Sequence, residues 1–281
     1  MSDTVTTPAI KEVVLEPGKA QKQYWIDLWR YRELFYFLTW RDILVRYKQT
    51  VVGVAWAVVR PLLTMLILTF VFGYLAGMES GDVPYPILVM CAMLPWQFFS
   101  TAMSESGQSL VRNAGMVSKV YFPRLIVPAS SVITSLVDFM ISVVILAGVM
   151  AYYRFVPGWE VVYLPALVTL AFGAAFGIGV WVSALMVRYR DFRFIIPFVV
   201  QFGLYISPVG FASSVVPDQW RLLYSVNPMV GVIDGFRWAV LGGEHEVYVP
   251  GLVMSVVLVL AMIYSGIWFF RKTEKTFADI I

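Results

Sequence analysis

The sequence predicts an all-α integral membrane protein with six transmembrane helices. It also predicts an N-terminal amphipathic interfacial helix and re-entrant helices on the outer side between spans 5 and 6. Three observations carry this. The chain has 281 residues, is 59% hydrophobic and is only 14% charged, where soluble domains average roughly 45–50% and about 25%. The apolar residues come in blocks of about 20 or more, enough to cross ~30 Å of hydrocarbon as helix, and the alternating segments of about 10 residues that mark a β-barrel are absent. Finally, 18 of the 21 Lys and Arg fall in residues 1–60, 112–124, 188–193 and the C-terminal tail, leaving only Arg154, Arg221 and Arg237 elsewhere. Positive charge collects on the inner side, so both termini are expected in the cytoplasm.

Residues 1–23 are polar and broken by Pro8, Pro17 and Gly18. They read as a flexible cytoplasmic tail without a signal peptide. Residues 24–48 mix Trp25, Trp29 and Trp40 with Arg30, Arg32, Arg41, Arg46 and Lys48. No apolar run there is long enough to span. Thr39, Asp42 and Arg46 share a narrow polar face, so an interfacial amphipathic helix is expected, with packing on the other spans as the alternative. Residues 49–281 form a single transmembrane domain.

The first span is expected over Val51–Ala76, kinked at Pro61 because proline removes a backbone hydrogen bond. The second, Tyr85–Val111, turns polar after Phe99 and must face protein or a water-filled path. The third, Leu125–Tyr153, holds Asp138. The fourth, Val161–Val187, holds Gly173, Gly177 and Gly179, which permit close helix approach. A fifth starts near Phe194 and soon meets Ser207-Pro208. The sixth is Tyr248–Phe270. Between the last two, residues 208–243 are too apolar for a loop and too often interrupted by Pro208, Gly210, Pro217, Pro228, Gly231 and Gly235 for a straight span. Short helices dipping in from the outer side fit that pattern, provided their backbone is buried in protein or lines a cavity.

Several chemistries are excluded. There is no G-x-x-x-x-G-K-[ST] phosphate loop and no H-E-x-x-H. A single cysteine, Cys91, and a single histidine, His245, leave no expected metal site. His245 lies between Glu244 and Glu246 in a polar segment, where solvation is expected. Asp138 is the only clearly intramembrane carboxylate, and pairing with a neighbouring helix is expected ahead of proton coupling.

The polar and basic island Arg112–Arg124 separates two long apolar runs. It carries Met116, Val117, Val120, Tyr121 and Phe122, apolar side chains that a plain solvated loop does not need. It reads as a docking element for a soluble partner that supplies energy. Tyr85, Trp96, Phe98, Phe99, Tyr205 and Phe211 lie beside polar or broken helix. Rings there suit stacking on sugars, although interfacial anchoring accounts for at least half of the aromatic residues of this kind.

These stretches resemble the membrane subunit of ABC-2-type polysaccharide exporters, the group that moves O-antigen, capsule and teichoic-acid chains. The resemblance rests on Arg41-Asp42-Ile43 with Arg46-Tyr47-Lys48-Gln49, Arg60-Pro61-Leu62, Pro84-Tyr85-Pro86, and Leu94-Pro95-Trp96-Gln97-Phe98-Phe99. It continues through Lys119-Val120-Tyr121-Phe122-Pro123-Arg124, Arg188-Tyr189-Arg190-Asp191, Ser207-Pro208-Val209, Asn227-Pro228-Met229, Phe236-Arg237-Trp238 and Glu274-Lys275-Thr276-Phe277. Gly115-Met116-Val117-Ser118 departs from the pattern.

The resemblance implies a homodimer around a polymer channel in the bacterial inner membrane, with two copies of a separate ABC ATPase on the cytoplasmic side. ATP and Mg would bind that partner. This chain would carry no cofactor and no catalytic residue. Its ligands would be membrane lipid and a lipid-linked polysaccharide, with no nucleic acid. Asn113, Met116, Val117, Lys119, Val120, Tyr121, Phe122 and Arg124 would form the coupling helix. Arg188, Arg190, Asp191 and Arg193 would form the second cytoplasmic loop. Pro208, Pro217, Asn227, Pro228 and Arg237 would form the outer gate. Two other classes remain open: an ABC-2 exporter of a lipid or small hydrophobic compound, and an ion-coupled small-solute carrier.

Overall fold

A computed structural model describes residues 20–48, 51–78, 83–243 and 247–277. Most of the expected tail, and the segments holding Glu79, Asp82 and His245, lie outside the described residues. Every regular element described is helical: α1 (Ala20–Arg30), α2 (Arg32–Lys48), α3 (Val51–Leu68), α4 (Tyr85–Arg112), α5 (Ala114–Val117), α6 (Ile126–Tyr152), α7 (Leu164–Arg188), α8 (Phe192–Ile206), α9 (Asp218–Tyr224), α10 (Pro228–Val240) and α11 (Val249–Thr273). A π-helical stretch, Thr69–Leu75, prolongs α3, and short 3-10 turns precede α7 and follow α11. Among the described residues, five helices are long and apolar enough to cross a membrane: Ala55–Leu75, Tyr85–Arg112, Ile126–Tyr152, Trp159–Arg188 and Val249–Thr276.

The remaining apolar helix, α8, has only 15 residues. At 1.5 Å per residue it reaches roughly 22 Å, short of a full hydrocarbon core. Ser207 is extended at its end, with ψ 151°, as a residue before proline prefers. The α1–α2 region also differs from the single expected helix. It starts at Ala20 and breaks into two helices at Tyr31.

The bundle is built around α4, whose apolar window is 83% buried, against 11% for α3 and 17% for α11. It packs on α6, α7 and α10, while α7 also packs on α11 and α2 lies along α6. The glycines of α7 explain its close fit. A Cβ on Gly177 would stand 2.8 Å from the Ile263 nitrogen of α11, and one on Gly179 would stand 2.8 Å from Ser106 Oγ of α4. Such approaches give dispersion and packing the role that hydrophobic exclusion plays in water. The polar half of α4 divides as its composition requires. Ser106 and Ser109 are buried against protein, while Thr101, Ser104 and Glu105 are half-buried.

Candidate functional site

The four segments rich in Lys and Arg meet at one end of the bundle. Leu38 of α2, Leu110 of α4, Val117 and Phe122 of the island, Val187 of α7, and Phe270 and Phe277 of the C-terminus share one apolar cluster. Polar contacts close it. Arg124 donates to the Glu274 carbonyl, Tyr24 Oη donates to Glu274 Oε2 at 3.0 Å, and the Arg271 guanidinium lies 4.5 Å from the Tyr24 ring centre. Burial, then the Glu274 carboxylate, pushes the Tyr24 phenol well above its ordinary value, so it remains a neutral donor.

The island is compact. Its helical part is the single turn α5, followed by a non-helical run to Pro123. Val117 (1% exposed) and Phe122 (4%) point into the cluster, whereas Val120 (54%) and Tyr121 (63%) stand out from it. Lys119 is exposed, and Asn113, Met116 and Arg124 are half-buried. The apolar set read from sequence therefore splits: two side chains anchor the island and two project. In the second basic loop Arg188, Arg190, Asp191 and Arg193 are all exposed.

An ion-pair chain ties this end to α2 and α6. Asp138 accepts from both Arg46 and Tyr47 of α2. Arg46 also lies 3.6 Å from Glu105 of α4. Glu105 accepts from Arg112 at 2.5 Å, and Asn113 accepts from Arg41 at 2.9 Å. Asp138 thus has the neighbouring partner its isolation demanded, although 92 residues separate it from Arg46. Composition pointed to a partner but not to which one, nor to Glu105 as the bridge. Two cavities flank the chain. One of about 560 Å³ lies between α2, α4 and α6, reaching Arg41, Ser109 and Thr134. The other, about 310 Å³, runs deeper past Arg60, Gln97, Phe98, Thr101 and Ser142.

At the opposite end, α8 breaks at Ser207–Phe211, and side chains take up its freed carbonyls. Tyr224 donates to the Ile206 carbonyl at 2.7 Å, Tyr85 to Gly210 at 3.0 Å, and Arg237 to Phe211 at 2.7 Å and Val209 at 3.1 Å. Arg237 is only 2% exposed, and this is why a broken backbone is tolerated here. Asn227 caps α10, accepting from the Met229 amide at 3.0 Å, and donates to Ser207 Oγ at 2.9 Å. Pro228 opens α10, Pro208 is buried, and Pro217 is exposed before α9. The aromatic candidates separate as well. Trp96, Phe98 and Phe99 are buried within the chain, Phe98 against Phe139, while Tyr85 and Phe211 are half-buried and Tyr205 is exposed.

Long apolar helices around an ion-paired polar cavity, with basic segments gathered at one end, define a helical integral membrane protein. The chain belongs to the ABC-2 type transporter family, whose pattern matches residues 33–241. It is 25% identical over 256 residues to the O-antigen export system permease protein RfbA of Klebsiella pneumoniae, covering 89% of this chain and 95% of that one. It is 24% identical over 258 residues to the protein of the same name from Myxococcus xanthus, covering 91% and 98%. It is also 23% identical over 243 residues to the polysialic acid transport protein KpsM of Escherichia coli, covering 84% and 91%.

Proposed function

We propose that this chain is the channel-forming permease subunit of an ATP-driven exporter of a lipid-linked polysaccharide, O-antigen being the nearest class. Transport would run from the cytoplasm across the bacterial inner membrane. Near full-length similarity to permeases named for O-antigen and polysialic acid supports the substrate class. In this reading the basic end faces the cytoplasm, α8 with the broken segment makes the fifth of six crossings, and α9 and α10 form the re-entrant outer gate. Two copies pair around the conduit, because one bundle filled by α4 leaves no continuous path for a hydrated polymer.

The observation that carries the reading is how the island is mounted. Val120 and Tyr121 project beside Lys119, while Val117 and Phe122 root the same turn in the core. A separate ABC ATPase, holding ATP and Mg, grips the projecting pair. Closure of the ATPase then pushes on α4, the helix on which α6, α7 and α10 all pack. The Arg112–Glu105–Arg46–Asp138 chain passes the same push to α2 and α6.

The test is Val120→Asp with Tyr121→Asp, both on the exposed side, in the permease purified with its ATPase. Placing charge on an interface anchor costs about 2 kcal/mol or more, roughly thirtyfold in affinity. The expected outcome is loss of ATPase association and of export, with the unfolding midpoint of the permease retained. Unchanged association would sink the docking reading.

A further inference from the structure

A third cavity at the basic end, about 420 Å³, lies between the ends of α4, α7 and α8. Its wall is formed by Val111, Arg112, Ala114, Met186, Arg190 and Arg193, together with Gln108 and Val187. We infer that this cavity binds the phosphate headgroup of an anionic membrane phospholipid.

Three properties point there. The first is charge. The wall holds three arginines and no carboxylate, whereas in the neighbouring 560 Å³ cavity Arg41, Arg46 and Arg112 face Asp42 and Glu105. Arg112 is already engaged by Glu105 at 2.5 Å. Among the described residues, Arg190 and Arg193 have no carboxylate within ion-pair reach, so they supply the free charge. The second is depth. α4 ends at Arg112, α7 ends at Arg188 and α8 begins at Phe192, so the arginines sit where apolar helix gives way to headgroups. The third is the mixed wall. Val111 is 51% exposed, and it forms an apolar floor with Ala114, Met186 and Val187. A soluble anion gains nothing from that floor, whereas a lipid places phosphate on the guanidinium groups and its glycerol and upper acyl carbons on the valine and methionine. Basic pockets between transmembrane helices are suited to anionic headgroups for this reason.

The experiment is native mass spectrometry of the purified chain titrated with phosphatidylglycerol or with phosphatidylcholine. Wild type and the double variant Arg190→Gln, Arg193→Gln are compared. At about fivefold per arginine near the headgroups, the double variant should bind phosphatidylglycerol about twenty-five-fold more weakly. Phosphatidylcholine adducts should be unchanged. A control removes two exposed charges elsewhere at the same end, Lys272→Gln with Lys275→Gln, and should retain phosphatidylglycerol as wild type does. An unfolding midpoint equal to wild type excludes misfolding of the arginine variant. Three results would each overturn the inference. One is equal retention by wild type and the arginine variant, which would leave the arginines to an acidic protein surface. Another is equal loss in the lysine control, which would reduce the effect to general charge. The last is displacement of the lipid by millimolar inorganic phosphate, which would make this a site for a soluble anion.

Discussion

Asp138 shows how far a single residue can be read before the fold is known. A lone carboxylate in an apolar span demands a partner, and Arg46 and Tyr47 of α2 provide it. The partners lie far away in sequence, on a helix whose polar face could be drawn but not aimed, so the pairing was not legible. The pair is about a third exposed, Arg46 at 28% and Asp138 at 31%, so its net contribution is about 1 kcal/mol. Asp138→Asn should therefore lower stability only by that amount, while export falls because the ion-pair chain loses its link to α6, read by thermal unfolding and by surface polysaccharide in complemented cells. Unchanged export by a folded Asp138→Asn protein would mean that the ion-pair chain carries none of the push from the island. Arg237 was singled out for its place in a motif. Its role as donor to two carbonyls of a broken backbone depends on the fold, which brings α10 beside residues 209–211. Val117 and Phe122 looked identical in kind to Val120 and Tyr121, and only packing told anchors from projecting groups.

At the scale of elements the sequence was informative. The expected spans begin and end within a few residues of the observed helices, because apolar runs and their charged or proline borders are local features. What local features could not give was rank: the polar end of α4 required protein or water beside it, but not that α6, α7 and α10 would all pack on it. The small residues of α7 were legible as a packing face, and the structure supplies their neighbour. A Cβ on Gly177 meets backbone of α11 at 2.8 and 2.9 Å, whereas one on Gly148 of α6 meets nothing within 4 Å. Gly177→Ala should cost about 1–3 kcal/mol, since backbone must move to admit it. Gly148→Ala should leave the unfolding midpoint unchanged or slightly raised. Equal midpoints for the two would mean that the α7–α11 contact is looser than drawn.

Over the whole molecule, charge segregation and tertiary structure converge from independent directions. Segments rich in Lys and Arg, scattered from α1 to the C-terminus, assemble at one end. The Arg154–Tyr163 connection and the end of α10 meet at the other, with the Tyr163 and Trp238 rings 5.4 Å apart. Orientation can then be measured directly. Cys91 is fully buried, so introduced cysteines report alone. In spheroplasts, an impermeant maleimide should label Val156→Cys, at a residue 83% exposed. It should label Lys119→Cys and Lys272→Cys only after permeabilisation. The opposite pattern would invert the topology and with it the assignment of the docking end.

The sequence by itself determined the all-helical membrane class, the positions of the five long spans, the segregation of basic residues and the resemblance to a transporter family. Each depends on composition or on order along the chain, and neither needs distance in space. Only the tertiary structure decided that α4 is the axis, that Asp138 belongs to Arg46, and that the island has one buried and one projecting face. It also decided that Arg190 and Arg193 gather with Arg112 around a cavity whose own wall holds no carboxylate. Those outcomes depend on which helices become neighbours, which is set by packing summed over the bundle rather than by any one segment.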